Sequence, residues 1–294
     1  MTRVRLSLGP LLYYWSRAAV EAFYDAACAS AVDVVYLGEV VCGKRHELGL
    51  RDFVSIGKKL AAAGKEVVLS TLALCESESD LRLLRRLVAN GDFALEANDM
   101  GAVHLAARAR VPFVIGPHVN AYNPATLDVL IAHGAVRWVA PVELPRDGIR
   151  AVRNALGAPL ETEVFAHGRL PLAMSARCFT ARYHDRPKDD CAFTCQDDVE
   201  GLPVSTQDGM PLFVLNGIQT QSARRYSLAP VLHEAIADGI DVLRISPQAE
   251  GTFDLAAAFR EALDRDPAGS LPTALVEAET STGYWRGSAG MAPA

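Results

Sequence analysis

Four cysteines are the residues of this sequence whose type and spacing best suit chemistry. Cys178, Cys191 and Cys195 lie within eighteen residues in the pattern Cys-x12-Cys-x3-Cys, and Cys42 lies far upstream of them. The segment 176–198 around the later three is rich in Arg, Asp and Pro and shows no helix or strand periodicity. Such a loop is a poor place to bury thiols for packing, whereas thiolates bind soft metals well. We therefore expect a metal centre.

Four thiolates suit either zinc or an iron–sulfur cluster. Structural zinc sites usually use pairs of closely spaced cysteines, and this chain has no Cys-x2-Cys pair. The wide and unequal spacing favours a 4Fe–4S cluster, with zinc or no metal as the alternatives. Arg177, Arg182 and Arg186 flank the cysteines and are expected to offset the negative charge of the thiolates.

The two remaining cysteines have other interpretations. Cys28 lies on the apolar stripe of a helix predicted over residues 17–30, so we expect it in the core. Cys75 follows the third predicted strand, and its distance from the metal centre stays open.

The bulk composition limits the class of protein. The 294 residues are half apolar, and 29 basic against 35 acidic residues give a net charge of −6, which disfavours nucleic acid as the direct partner. The N-terminus lacks the apolar core of a signal peptide, and no apolar run approaches the roughly 20 residues of a membrane span. We expect a soluble, cytoplasmic protein without direct membrane insertion, whose cysteines serve metal binding or catalysis rather than disulfides.

Short apolar runs alternate with helical patterns from end to end of the chain, which predicts parallel strands joined by crossover helices. The candidate strands are 4–8, 34–37, 67–70, 93–96, 113–115, 138–140, 161–165 and 242–245, and a further run covers 213–215. Eight units predict a (β/α)8 barrel of the TIM type, with an open doubly wound sheet as the alternative. We assign one domain to residues 1–280, with a long, irregular cysteine-bearing insertion at 169–210. The glycine-rich tail 281–294 is expected to fray unless Tyr284 and Trp285 dock it.

In a barrel both Cys42 and the late cysteines follow strands, so all four would lie on the C-terminal face, where barrels place their chemistry. Polar residues near other strand ends are candidates for binding a small molecule there. The candidate acids and bases are His118, His167 and Glu143, and the candidate substrate-binding residues are Glu39, Arg45, Asn120, Arg177 and Arg244. Arginine suits an anionic substrate because its fork binds two carboxylate oxygens. Alternatively, Glu163 and Arg244 pair with each other inside the barrel, and His167 only ends its strand.

The segment from Glu163 to Cys178 reads Glu-Val-Phe-Ala-His-Gly-Arg-Leu-Pro-Leu-Ala-Met-Ser-Ala-Arg-Cys. It resembles the signature of the collagenase-like peptidase family, family U32, although members commonly carry a cysteine where this chain has Pro171. Further segments resemble the branch of that family that acts in ubiquinone biosynthesis: Leu-Gly-Glu-Val-Val-Cys ending at Cys42, Ser-Ala-Arg-Cys-Phe-Thr-Ala-Arg, Asp-Arg-Pro-Lys-Asp-Asp-Cys, Val-Leu-Asn-Gly-Ile-Gln-Thr and Gly-Tyr-Trp-Arg.

The resemblance implies a 4Fe–4S cluster on Cys42, Cys178, Cys191 and Cys195. It also implies a heterodimer with a paralogue, UbiU, assisted by a lipid-binding accessory protein, UbiT. The pair would support hydroxylation of the ubiquinone ring without molecular oxygen, with prephenate as the proposed hydroxyl donor.

Two other functions remain open. A non-catalytic partner would use the cluster only to shape a heterodimer surface. A peptidase is less favoured, since the chain has neither a Gly-x-Ser-x-Gly elbow nor a His-Glu-x-x-His motif.

Overall fold

The computed structural model of the chain describes residues 3–265 and 280–292. Eight parallel strands form a closed barrel: β1 (Arg5–Leu8), β2 (Val34–Leu37), β3 (Glu66–Ser70), β4 (Ala94–Ala97), β5 (Phe113–Ile115), β6 (Ala135–Val139), β7 (Glu161–Met174) and β11 (Val242–Ile245). The sheet closes because β11 pairs with both β1 and β7. The (β/α)8 barrel is therefore confirmed, and the open doubly wound sheet is wrong.

Helices cover the outside of the barrel and alternate with its strands. They are α1 (Arg17–Ala29), α2 (Leu50–Ala62), α3 (Glu78–Val88), α4 (Met100–Ala109), α5 (Pro124–Ala132), α6 (Arg146–Asn154), the short α7 (Phe179–Tyr183), α8 (Leu232–Ala237) and α9 (Thr252–Asp264). In α1 the Ser16 hydroxyl caps the first turn, and Val20, Tyr24 and Ala27 form the buried stripe that the 3.6-residue period predicts. The strands read as continuous apolar runs because both faces of a parallel barrel are covered.

Strand β7 is the element that departs most from prediction. Its first half pairs with β6 and β11 in the barrel, and its second half continues past the rim to Met174. There it pairs antiparallel with β10 (Gln219–Ser227), which pairs with β9 (Pro211–Asn216) and then β8 (Leu202–Ser205). The segment 169–210 is thus not irregular throughout: it holds the end of β7, α7 and β8. The antiparallel pairing of β7 has no local signal in the sequence, because the partner strand lies about 50 residues further along the chain.

The C-terminal residues 280–292 dock on the barrel. Ser281 bridges to Tyr226 of β10, and Trp285 is buried, with its indole N–H donating to Glu234 at 2.9 Å. The sequence left open that Tyr284 and Trp285 dock the tail, and Trp285 does so here because it has both an apolar site and a hydrogen-bond acceptor.

No helix within residues 3–265 and 280–292 combines the length and the apolar character needed to cross a membrane.

A buried ion network fills the barrel interior. The Arg244 guanidinium donates to Glu163 at 2.6 Å through Nε and to Glu96 at 2.7 Å through Nη1. Glu163 also accepts from the hydroxyls of Tyr36 at 2.5 Å and Ser7 at 2.7 Å. The pairing of Glu163 with Arg244 is the alternative that the sequence left open, and it is confirmed. Burial alone would raise the pKa of Glu163, but Arg244, the neighbouring Arg137 and the two hydroxyls hold it below its usual value.

Replacing Glu163 by Ala is expected to lower the free energy of unfolding by about 3–5 kcal/mol at pH 7, because Arg244 would stay buried without this partner. Urea unfolding measures the change. Since the pKa of Glu163 is lowered on folding, its contribution is present above the ordinary carboxyl pKa and lost as pH falls through the lowered value. The difference from wild type should therefore shrink in acid. Glu21→Ala, which removes an exposed ion pair with Arg17, is the control and should cost less than about 1 kcal/mol.

Candidate metal centre and barrel-mouth cavity

Cys42 lies on the connection that follows β2, at the C-terminal rim of the barrel. The carboxylate of Glu39 holds this loop by accepting the backbone N–H groups of Val41 at 2.8 Å and Cys42 at 3.0 Å. Burial raises the pKa of Glu39, although Arg45 at 3.7 Å and the two N–H groups act in the opposite direction. Glu39 thus shapes the Cys42 loop, and together with Arg45 it also lines a small pocket.

Cys178 is placed by the part of the fold that sequence reasoning missed. It caps the N-terminus of α7, where its sulfur accepts the N–H of Ala181 at 3.4 Å. The turn between β9 and β10 holds the start of α7, since the Gly217 carbonyl accepts from Phe179 at 2.9 Å and the Gly217 N–H donates to Thr180 at 2.9 Å. The antiparallel extension therefore fixes the position of this thiol.

Two lysine side chains connect the segment of Cys191 and Cys195 to the loops that carry Cys42 and Cys178. Cys191 and Cys195 lie at two short 3-10 turns. The Lys44 ammonium, from the Cys42 loop, donates to the Lys188 carbonyl at 3.0 Å and to Asp189 at 2.7 Å, beside Cys191. Lys188 in turn donates to the Ala176 carbonyl at 2.8 Å, two residues before Cys178. These contacts join three separate segments.

The four thiols lie close enough to influence one another electrostatically. Burial raises the pKa of Cys42, and a charge on Cys178 adds to the increase. Burial also raises the pKa of Cys195, with further increases from Cys178 and Cys191 and an opposing effect from Arg45. The four thiols thus form a connected set, although Cys42 follows β2 and the other three cysteines follow β7.

The cations that offset this set are Lys44 and Arg45. Arg45 is buried and anchored, donating to the Leu12 carbonyl and to Asn216, each at 2.7 Å, and it acts on the pKa of both Cys42 and Cys195. Arg45 was a substrate-binding candidate, but it lies among the thiols. The three arginines expected in this role from the sequence, Arg177, Arg182 and Arg186, are exposed.

The loop between Cys191 and Cys195 has an unusual backbone. Ala192 and Phe193 both adopt left-handed conformations, with φ of 49° and 55°, which costs L-residues roughly 1–2 kcal/mol each. Phe193 is held there by contacts of its ring with Tyr14 and His46, at centroid distances of 5.8 and 5.2 Å. Strain of this kind is typical of ligand clamps, where the surrounding structure enforces it.

The donor set fits a thiolate-bound cluster. All six cysteines are free thiols. Cys28 and Cys75 pack against the main core, and the charges acting on Cys75 are those of Asp99 and Asp80. Among the described residues, no group of three or more His, Cys, Asp or Glu side chains is arranged to hold a metal ion. Cysteine thiolates are the ligand type of an iron–sulfur centre, so the four thiols fit such a centre by donor type and not by their present arrangement.

A two-chambered cavity opens in the barrel mouth next to the thiols. The inner chamber has a volume of about 30 Å³ and is lined in part by Arg244, Asn98 and Phe165. The outer chamber has a volume of about 280 Å³ and reaches Asn120 and Glu143. The two chambers are adjacent, since His118, Pro117, Val142 and Pro171 line both.

One apolar cluster contacts both this cavity and the side chains of Cys42 and Cys178. Leu12 and Val40 line the inner chamber and belong to the same apolar cluster as Cys42 and Cys178. Met174, in that cluster, lines the outer chamber.

The structure thus divides the predicted site residues into separate groups. His118, Glu143, Asn120 and Arg244 line the cavity, whereas Glu39 and Arg45 support the thiols. His167 lies apart from the lining of both chambers: it is buried against Phe259 of α9, and burial lowers its pKa to about 3. Lys44 was a candidate from its position past a strand end, but sequence reasoning did not predict its contacts with Lys188 and Asp189 beside Cys191.

Comparisons with known proteins identify the family of this chain. The model of peptidase family U32 matches residues 20–284, so the chain is a barrel protein that belongs to this family. A solved structure of a U32 peptidase is 11% identical, with a TM-score of 0.47 over 85% of this chain and 95% of that one.

Two relatives are named for different activities. The tRNA hydroxylation protein P of Escherichia coli (strain K12) is 28% identical over 185 residues, which are 58% of this chain and 40% of that protein. The collagenase of Porphyromonas gingivalis (strain ATCC BAA-308 / W83) is 21% identical over 269 residues, covering 81% of this chain and 62% of that protein. The chain thus spans less than two thirds of the length of either relative.

Replacing Ala192 by Gly is expected to leave the free energy of unfolding unchanged or to raise it by about 1 kcal/mol, because glycine adopts the left-handed conformation without steric cost. Ala22→Gly, in the exposed middle of α1, is the matched control and should cost about 1 kcal/mol. Urea unfolding of the two variants measures the contrast, and an equal loss in both would show that the 192–193 backbone carries no strain.

Proposed function

We propose that the chain is an iron–sulfur subunit of an oxygen-independent hydroxylation system, with a 4Fe–4S cluster on Cys42, Cys178, Cys191 and Cys195. The observation that carries the proposal is the set of four mutually interacting thiols, two of which, Cys42 and Cys178, pack in the apolar cluster whose Leu12 and Val40 line the barrel-mouth cavity. A redox centre and a small-molecule cavity are then neighbours in one chain.

The family relationship supports hydroxylation as the reaction class. The Escherichia coli relative is named a tRNA hydroxylation protein and matches more than half of this chain. The net charge of −6 disfavours RNA as the direct substrate here. We therefore propose an aromatic small molecule as the substrate, and the segments that resemble the ubiquinone branch of the family point to the ubiquinone ring and to a UbiV-like subunit.

In this function the cluster, when bound, supplies one-electron redox chemistry. Ring hydroxylation converts an aromatic C–H into C–OH and removes two electrons, which the donor of the hydroxyl oxygen, proposed to be prephenate, accepts. The residues of this chain have supporting tasks. Arg45 and Lys44 offset the negative charge of the thiolates, and Leu12, Val40 and Met174 keep water out of the layer between the centre and the cavity.

The proposed partners are a UbiU paralogue, forming a heterodimer, and a UbiT-like lipid-binding accessory protein. They rest on the sequence resemblance alone. The alternative nearest to this proposal is a subunit whose cluster only shapes the heterodimer surface. The function of such a subunit would tolerate substitutions that fill the cavity.

A peptidase is the alternative that the family name and the Porphyromonas gingivalis relative favour. A cysteine nucleophile needs a lowered pKa and an adjacent base. Burial raises the pKa of Cys42, Cys75 and Cys195, and no histidine is among the groups that shift them. These three cysteines are thus poorly suited to attack a peptide bond.

Anaerobic purification should yield a brown protein with about four irons and four sulfides per chain. Replacing any one of Cys42, Cys178, Cys191 and Cys195 by Ser should reduce the bound iron at least severalfold, because each thiolate holds one corner of the cluster. Iron and acid-labile sulfide assays, together with the visible absorption spectrum, measure the loss.

Cys28→Ser and Cys75→Ser are the matched controls, since these thiols lie outside the connected set, and both should retain the cluster. Wild-type protein without iron or sulfide after anaerobic preparation, or a Cys42→Ser variant with full iron content, would contradict the proposed ligand set. Cleavage of peptides by the metal-free protein would favour the peptidase.

A further inference from the structure

The part of the sheet that extends beyond the barrel rim carries a concentration of exposed apolar side chains. Among the described residues, ten large apolar side chains are exposed, and five of them come from the short stretch 179–213: Phe179, Tyr183, Val199, Met210 and Phe213. Single exposed apolar residues are ordinary, whereas a concentration of them is typical of an interaction site.

Two elements that contact each other present these side chains. The helix α7 packs against β9 and is fixed by the β9–β10 turn. Along β9 the side chains alternate, since Val214 is buried whereas Phe213 is exposed. On the side of the hairpin that carries Phe213, Val204 of β8 lies opposite Phe213, and Leu202 lies opposite Leu215. Val204, Leu202 and Leu215 are all half-buried, so this side of the hairpin is apolar and still accessible.

Three arginines in or beside α7 have no carboxylate partner. Arg177, Arg182 and Arg186 are exposed, and none of them forms an ion pair with another described residue. Arginine and aromatic side chains are the residues most enriched at the energetically important positions of protein–protein interfaces. We call the surface formed by these arginines, Phe179, Tyr183 and Phe213 the extension face.

Charge favours a protein as the partner of this face and disfavours an anionic lipid surface. Residues 176–210 contain four basic and seven acidic residues, a net charge of −3, in spite of the arginines. A membrane responds to the sum of the charges within a Debye length of about 10 Å, so an anionic membrane would repel this segment. A folded protein can instead place single carboxylates beside the arginines and its own cations beside the aspartates.

We infer that the extension face docks a second protein, whose contact surface is apolar at its centre and carries carboxylates that pair with Arg177, Arg182 and Arg186. The inference rests on the proposed function for the identity of that protein, which is the paralogous subunit of the heterodimer. It adds the surface to which the subunit binds, and this surface begins at α7, the helix that Cys178 caps.

Isothermal titration calorimetry of the anaerobically purified chain with the purified paralogous subunit tests the inference. Arg182→Glu should raise the dissociation constant at least about tenfold, because it places a like charge against the partner's carboxylates. Tyr183→Ala should have an effect of the same size, because it removes an aromatic contact from the centre of the interface.

Arg108→Glu and Met100→Ala are the matched controls. Both residues are exposed on α4, which lies between β4 and β5 and away from β7 in the order of the strands. Their dissociation constants should stay within about twofold of wild type. Unchanged melting temperatures and iron contents show that all four variants fold and that their effects do not pass through the metal centre.

Salt dependence separates the two contributions to binding. Raising the salt concentration from about 0.05 to about 0.5 M should weaken wild-type binding and narrow the difference between wild type and Arg182→Glu, because exposed ion pairs are screened. The loss in Tyr183→Ala should persist, since salt does not screen an apolar contact.

Wild-type affinity in both Arg182→Glu and Tyr183→Ala would overturn the inference and leave the heterodimer intact. Self-association of the chain that these variants abolish would overturn it in favour of a second copy. Binding to phosphatidylglycerol vesicles that Arg182→Glu abolishes would overturn it in favour of a lipid surface.

The iron and sulfide assay keeps this inference apart from the proposed function. A wild-type chain without iron that still binds the paralogous subunit through Arg182 and Tyr183 supports the docking face, while the proposed function fails. A brown wild-type chain that binds no paralogous subunit retains the cluster and overturns the docking face.

Discussion

The antiparallel pairing of β7 with β10 is the constraint on which the candidate site depends. A barrel strand normally ends at the rim, but β7 continues to Met174 because β10 supplies partners for its backbone groups. This extension carries Cys178 beyond the rim, and the β9–β10 turn then fixes α7 beside the Cys42 loop. Without the pairing, the late cysteines would lie on an untethered loop.

Buried charge is used in two different ways on the same face of the barrel. In the interior, arginines and carboxylates balance one another. At the thiols, Lys44 and Arg45 face groups that become anionic only on deprotonation or metal binding. The first arrangement stabilises the closed barrel, and the second suits thiolates.

Hydrophobic periodicity predicted the strands well where both faces are buried. Val34–Leu37 and Phe113–Ile115 have the predicted bounds, because a parallel barrel strand needs a continuous apolar run. The same reasoning failed for residues 169–174, whose strand is stabilised by a distant partner and not by its own pattern. It also failed for the charges near the thiols: Arg177 and Arg182 are exposed, whereas the fold places Arg45 where it acts on both Cys42 and the distant Cys195.

The sequence by itself determined the barrel, the resemblance to family U32 and the four cysteines worth attention, because residue type and period are local properties. Only the tertiary structure decided which polar residues share a site. In the folded chain, Arg244 pairs with Glu163 in the barrel interior, and His167 is buried against α9. His118 and Asn98 line one cavity. The reason is physical: each buried polar group takes the partner that the closed barrel places within reach, and that partner comes from a distant part of the chain.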